Sequence, residues 1–113
     1  GEGGVPRHSS AVRSVSCEAG PEDPVRLETF HAWMAALAEE RSDDLYRIKG
    51  ILSLEKSDSV YVFQGVCGEL KGRAMRKWGE GEERRSELVL IGKNLDPAPI
   101  QASFRSCLVS GGG

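Results

Sequence analysis

The sequence lacks several features that mark well-known classes of protein. It has no run of about 18 apolar residues that could cross a membrane, and its first ten residues, GEGGVPRHSS, contain no apolar segment of the kind found in signal peptides. Lysine and arginine total 15 against 17 acidic residues, so the basic excess typical of nucleic-acid-binding and membrane-surface proteins is missing. We therefore expect neither a nucleic acid nor a membrane as a partner.

Cysteine is scarce, and the three cysteines lie far apart. Cys17, Cys67 and Cys107 form neither a C-x-x-C pair nor zinc-finger spacing. We interpret them as reduced thiols that serve as small apolar residues in a reducing compartment. This interpretation predicts a location in the cytoplasm or in an organelle stroma or matrix. A ligand role for one of the three is the alternative.

Motifs for catalysis and nucleotide binding are also missing. The sequence contains no G-x-x-x-x-G-K-[ST] phosphate loop, and no G-x-G-x-x-G lies between a strand and a helix. Its two histidines, His8 and His31, have no obvious nucleophile or acid beside them. We therefore expect no catalytic residue and no cofactor in this chain. His8 and Cys17 remain as weak candidate metal ligands.

The residues that are present suffice for one folded domain. The chain has 113 residues, of which 39% are hydrophobic and 28% charged, enough for a single modest core. We expect a flexible arm over residues 1–10, a folded domain over 11–109 and a flexible glycine tail over 110–113. The glycine-rich ends and the missing initiating Met favour one domain of a longer protein.

Three apolar runs predict adjacent strands of one antiparallel sheet, around which the rest of the chain is organised. The runs are LYRIKGILSL, VYVFQGVCG and SELVLIGKNL. In the first run, alternation places Arg47 and Lys49 on the outer face of the sheet, and Gly50 indicates a bulge or a close neighbour. The residues predicted to face the other way are Tyr46, Ile48, Leu52 and Leu54. Residues 11–19 also alternate and predict a further strand at an edge.

Two Asp-Pro pairs predict the starts of two helices. An aspartate can accept hydrogen bonds from the first turn, and proline fits the first helical position. Asp23-Pro24 precedes apolar residues at helical spacing up to about Arg41, and Asp96-Pro97 precedes a shorter helix. The order β-α-β-β-β-α predicts an α+β fold, with a small antiparallel sheet of about four strands and two helices packed on one face.

Residues 71–85 are interpreted as a long charged loop around Trp78. Its basic residues are Lys71, Arg73, Arg76, Lys77, Arg84 and Arg85. Basic residues around an aromatic can bind single-stranded nucleic acid. However, Glu80, Glu82 and Glu83 mix the charge, which favours a solvated loop whose acids pair with the arginines while Trp78 anchors it to the core. A protein contact through Trp78 is an intermediate possibility.

Several short motifs in one order resemble a known family. They are Arg47-Ile48-Lys49-Gly50, Gln64-Gly65-Val66, Trp78, the segment from Arg85 to Asp96, and the closing SFRSCL. Together they resemble the C-terminal domain of the CobW-type GTPases, which are metal chaperones or metallocofactor-insertion proteins related to cobalamin synthesis. The resemblance covers about residues 8–108.

The resemblance implies a function for a longer parent protein. Such a parent hydrolyses GTP in an N-terminal domain that carries a phosphate loop and a C-x-C-C metal site, and it delivers zinc or cobalt to a client metalloprotein. The present chain, which has neither motif, is then a non-catalytic domain for client recognition or for coupling to the GTPase domain. Alternatives are a structural or homo-oligomerisation module and a stand-alone metal-binding domain. The candidate partner-binding residues are Arg47, Lys49, Trp78, Arg84 and Arg85.

Overall fold

The computed structural model describes residues 11–66 and 68–111, so His8 and Cys67 lie outside the described residues. Its elements are β1 (Val12–Ala19), α1 (Leu27–Glu40), β2 (Leu45–Ser53), β3 (Ser59–Val66), β4 (Glu69–Lys77), β5 (Ser86–Lys93) and α2 (Pro97–Arg105). The strands form one sheet in the order β1-β5-β2-β3-β4, in which every neighbouring pair is antiparallel. No helix within these residues is both long and apolar enough to cross a membrane.

The α+β fold class is confirmed, but one strand was not predicted from the sequence. Residues 69–77 are not part of a loop: they form β4, which pairs with β3 from Val66↔Glu69 to Ser59↔Lys77. Every residue of β4 except Leu70 is exposed. Such a strand lacks the apolar alternation that marks a half-buried strand. Its charged residues suit an edge strand, because charge discourages unwanted pairing with other chains.

Both helices pack on one face of the sheet, as predicted. Phe30, Met34 and Leu37 of α1 and Ile100 and Phe104 of α2 are buried in one cluster with the inward-facing residues of the strands. The rings of Phe30 and Phe63 meet edge to face, with their centroids 4.9 Å apart. The opposite face of the sheet carries neither of these helices.

The two predicted helix starts have different outcomes. Helix α2 begins at Pro97 with Asp96 at its N-cap position, although the Asp96 side chain forms no capping hydrogen bond. The prediction at Asp23-Pro24 is wrong, because α1 begins only at Leu27. The Asp23 carboxylate instead accepts hydrogen bonds from the backbone N–H and hydroxyl of Ser110. A residue from the far end of the chain thus uses the group that was expected to cap the helix.

The close-neighbour interpretation of Gly50 is confirmed. A Cβ atom at this position would lie 2.2 Å from the carbonyl oxygen of Glu87 and 2.8 Å from the Cα of Leu88 on β5. The irregularity in this strand lies elsewhere, between Leu45 and Arg47. Tyr46 lies at this irregularity and is 42% exposed, although alternation groups it with the buried Ile48.

Candidate partner-binding surface

The outer face of the sheet, opposite the helices, is built from alternate residues of all five strands. Directly paired residues on neighbouring strands point to the same side, so the register defines rows across this face. Three successive rows are Ser14–Ile91–Arg47–Val66–Glu69, Ser16–Val89–Lys49–Gln64–Lys71 and Glu18–Glu87–Ile51–Val62–Arg73. Half-buried aliphatic residues therefore lie between charged residues on an open surface.

Four cations stand together on this outer face. Arg47 and Lys49 of β2 are exposed where alternation placed them, and Lys71 and Arg73 of β4 are exposed on the same side. We call these four residues the basic patch. None of them takes part in an ion pair within the described part of the chain. The sequence alone did not predict that Lys71 and Arg73 lie near Arg47 and Lys49, because only the pairing of β4 with β3 brings them to this face.

Trp78 directly follows β4 and is buried, with 8% of its surface exposed. Its backbone N–H donates a hydrogen bond of 2.9 Å to the carbonyl of Asp58. Its indole Nε1 is buried without a hydrogen-bond partner among the described residues. Trp78 is therefore placed to anchor the segment that follows β4, and burial leaves its ring little surface to offer to a partner.

Arg84 and Arg85 are engaged by acids that lie outside the predicted loop. Arg84 forms a 2.7 Å ion pair with Asp58 and donates to the carbonyl of Ser57 at 3.2 Å. Arg85 forms a 3.0 Å ion pair with Glu87. The hydrogen bond and positive charge of Arg84 hold the pKa of Asp58 below its usual value. These two arginines thus hold the segment between β4 and β5 against its neighbours.

A second ion pair closes the turn after β4. The two terminal nitrogens of the Arg76 guanidinium donate to the Glu82 carboxylate at 2.9 Å, and the Gly79 N–H donates to the same carboxylate at 2.6 Å. The Arg76 and Gly79 hydrogen bonds lower the pKa of Glu82 to about 2. The expected pairing of loop acids with arginines is thus found at Glu82.

The candidate metal ligands receive little support as a site. Cys17 and Cys107 are buried free thiols, and burial raises the pKa of each to about 11. Since the thiolate is the form that binds metal, Cys17 at neutral pH has the character of a core residue. Within residues 11–66 and 68–111, no three His, Cys, Asp or Glu side chains are grouped so as to hold a metal ion.

An apolar groove of about 600 Å³ lies beyond the C-terminal end of α1, on the helical side of the sheet. Ala38, Leu45, Ile48 and Leu70 supply much of its lining, and Tyr46 stands at the bulge beside it. Its polar lining residues are Ser42, Asp43 and Arg47, which are fewer than the charged residues of the outer face. The outer face, with its charges and open surface, is therefore the stronger candidate site.

The fold and the sequence together correspond to a known domain. A family model described as the cobalamin synthesis protein cobW C-terminal domain matches residues 13–108. The chain belongs to this family. The match begins in β1 and ends just after α2, so this CobW C-terminal domain contains every helix and strand described above.

The curated relatives of this CobW C-terminal domain include two bacterial zinc chaperones. Zinc chaperone CobW of Pseudomonas aeruginosa is 38% identical over 79 residues, which cover 68% of this chain and 21% of that protein. Zinc chaperone YjiA of Escherichia coli is 33% identical over 81 residues, which cover 72% of this chain and 25% of that protein. The chain thus spans about a quarter of the length of these relatives or less.

A solved structure shows the same fold. The crystal structure of Zn(II)-bound YjiA GTPase from E. coli aligns with a TM-score of 0.77 at 30% sequence identity, covering 85% of this chain and 29% of that one. A Zn(II)-bound triple mutant of YjiA gives the same values. The fold of this chain thus corresponds to about 29% of the longer YjiA GTPase.

Proposed function

We propose that this CobW C-terminal domain is the non-catalytic docking module of a GTP-dependent metal chaperone. In this proposal, its outer face recognises the client metalloprotein or couples client binding to the GTPase domain of the parent protein. The observation that carries the proposal is the sheet face that neither helix covers, on which cations and half-buried aliphatic residues lie side by side. The chaperone and GTPase names of the relatives support the parent's activity.

The composition of the outer face favours a protein interface over a merely solvated surface. An antiparallel sheet can expose one face to water, and that face is then usually polar. Here Ile51, Val62, Val89 and Ile91 are half-buried on it, and Val66 is 51% exposed. Apolar side chains beside arginines, here Arg47 and Arg73, are typical of surfaces that bury area against another protein.

The chemistry of metal and nucleotide is assigned to the rest of the parent protein. The sequence of this chain has no phosphate loop and no C-x-C-C motif, and its described residues hold no cluster of metal ligands. We infer that GTP and the cargo metal, zinc or cobalt, are bound by an N-terminal GTPase domain. Cys17 and Cys107 are free thiols, which is consistent with a reducing compartment such as the cytoplasm or an organelle stroma or matrix.

The parent protein is tested by capturing the native polypeptide that carries this domain and determining its mass and peptides. The 81 aligned residues make up 25% of YjiA, so that protein is roughly three times as long as this chain of 113 residues. We therefore expect a polypeptide about three times as long as this chain, with peptides containing G-x-x-x-x-G-K-[ST] and C-x-C-C. A native polypeptide close to the length of this chain would overturn the chaperone assignment.

The docking role is tested by site-specific photo-crosslinking in that full-length protein, loaded with GTP and zinc. The probe replaces Gln64, which is exposed in the middle of the outer face, or Ala35, which is exposed on α1. We expect crosslinks from position 64 to a second protein or to the parent's own GTPase domain, and far fewer from position 35. The first product would indicate client recognition and the second would indicate coupling. Equal yields from the two positions would contradict a docking role for the outer face.

A further inference from the structure

The basic patch concentrates positive charge on a chain that is acidic as a whole. The formal net charge is −2, yet Arg47, Lys49, Lys71 and Arg73 stand on neighbouring rows of one face. No carboxylate within the described residues pairs with any of the four. Arg76 also lies on this side, opposite Val60, but Glu82 neutralises it. A group of like charges that the described residues leave without an ion pair is suited to a partner of opposite charge.

The spacing of the patch follows from the sheet geometry. Alternate residues along a strand are about 7 Å apart, and β2 and β4, which flank β3, are about 10 Å apart. The first row of the patch holds Arg47, the middle row holds Lys49 and Lys71, and the third row holds Arg73. Each of three successive rows therefore offers at least one cation. An extended chain laid along β3 would present alternate side chains at the same interval of about 7 Å.

The residues between the four cations indicate which class of macromolecule the basic patch can bind. Between the cations lie the β3 residues Val62, Gln64 and Val66, which offer aliphatic surface and one amide group. The three rows contain no aromatic residue, whereas single-stranded nucleic acids are bound largely by stacking on aromatic rings. The surface is therefore better suited to a polypeptide than to a nucleic acid.

We propose that the basic patch binds an extended acidic segment of a partner protein, with Asp or Glu at three alternate positions. The segment lies along β3, and each of its carboxylates meets one row of the patch. Two carboxylates of the outer face limit the width that the acidic segment can occupy. Glu69 lies at the edge of the Arg47 row, and Glu87, which pairs with Arg85, lies in the Arg73 row. This inference rests on the proposed docking function and specifies the chemistry of the partner.

The direct test measures fluorescence anisotropy of a labelled peptide with three Glu residues at alternate positions, titrated with the chain. We expect saturable binding that weakens as the salt concentration rises. A peptide with Gln in place of each Glu should not bind. A peptide with the same three Glu residues in succession should bind more weakly, because adjacent side chains of an extended segment point to opposite sides.

Two double variants locate the site on the domain. Lys49→Gln with Lys71→Gln removes both cations of the middle row and should weaken binding of the alternating peptide about fivefold or more. The control, Arg13→Gln with Arg105→Gln, removes the same charge from exposed residues away from the outer face and should change the affinity less than about twofold. Circular dichroism verifies that both variants are folded.

Four results would overturn the inference. These are no binding of the alternating peptide, equal binding of the peptide with successive Glu residues, equal loss in the two double variants, and tighter binding of an oligothymidylate of equal charge. The last result would make the patch a nucleic-acid site. If any of them occurs while position 64 still crosslinks to a partner, the docking function stands and only the acidic chemistry of the partner is wrong.

Discussion

Arg76 and Glu82 form a two-pronged ion pair across the turn that follows β4, with both nitrogen–oxygen distances at 2.9 Å. Glu82 also accepts the Gly79 N–H, so one carboxylate joins the end of the strand to the turn. Trp78 lies between the residues that this ion pair connects. The ion pair therefore stabilises the turn that contains Trp78.

The first prediction concerns the pH dependence of this ion pair. The pKa of Glu82 is lowered to about 2 from an ordinary value of 4.5, so its contribution to stability is fully present above pH 4.5 and is lost as the pH falls towards 2. We expect the turn to loosen over that range, which a change in Trp78 fluorescence would report. A Trp33→Phe background removes the other tryptophan.

The control for the pH prediction is Glu82→Gln, which keeps the size of the side chain but removes the charge. In this variant, the fluorescence change between pH 4.5 and pH 2 should be much smaller. A full-sized change in the variant would assign the titration to another carboxylate. Asp58 is the obvious alternative, because Arg84 also lowers its pKa.

The second prediction concerns the close contact between β2 and β5 at Gly50. Gly50→Ala would place a Cβ 2.2 Å from a backbone oxygen, so the strands must separate, and we expect a loss of about 1–3 kcal/mol in the free energy of unfolding. Urea denaturation of the variant and the parent sequence measures this loss of stability.

The matched control is Gly20→Ala. The nearest atom to a Cβ there is the flexible carboxylate of Glu22 at 3.4 Å, and we expect almost no change in stability. Equal losses at the two positions would show that the cost at Gly50 does not come from packing against β5.

The third prediction concerns the indole N–H of Trp78, which has no hydrogen-bond partner in the part of the chain that the structure describes. Trp78→Ala empties a buried site and should cost about 3–5 kcal/mol in unfolding free energy. Trp78→Phe keeps a large aromatic ring and removes a buried donor that finds no acceptor within residues 11–66 and 68–111, a group whose burial costs about 1–3 kcal/mol. The phenylalanine variant should therefore be far more stable than the alanine variant in urea denaturation. Similar losses in both variants would indicate that the indole nitrogen has an acceptor in solution.

Local chemistry determined some elements well enough to be predicted from the sequence. The start of α2 at Asp96-Pro97 depends on the proline itself, and the outward direction of Arg47 and Lys49 follows from strand alternation. The burial of α1 at Phe30 follows from helical spacing. In each case, the decisive residues are near each other in the chain.

Long-range contacts decided the features that sequence reasoning missed. β4 has too few apolar residues to be recognised alone, and its hydrogen bonds to β3 define it as a strand. Asp23 does not cap α1, because the backbone N–H groups of Val25 and Arg26 donate to distant carbonyls and the helix begins only at Leu27. The Asp23 carboxylate accepts a hydrogen bond from Ser110, 87 residues later. Only half of the basic patch was accessible to sequence reasoning, because Lys71 and Arg73 reach Arg47 and Lys49 through that same pairing of β3 and β4.

The last prediction concerns Cys17, a candidate metal ligand in the sequence and a core residue in the structure. Burial raises its pKa to about 11, so we expect almost no reaction with iodoacetamide in the native protein at pH 8 and rapid reaction in urea. Above pH 9 the thiol ionises in the unfolded chain but not in the folded one, and stability should therefore fall as the pH rises from 9 towards 11. Cys17→Ala should reduce that slope. If zinc bound the chain tightly and Cys17→Ala abolished the binding, the thiol would be a ligand after all. Retained binding in Cys17→Ala and loss in His8→Ala would place the metal in the N-terminal residues instead.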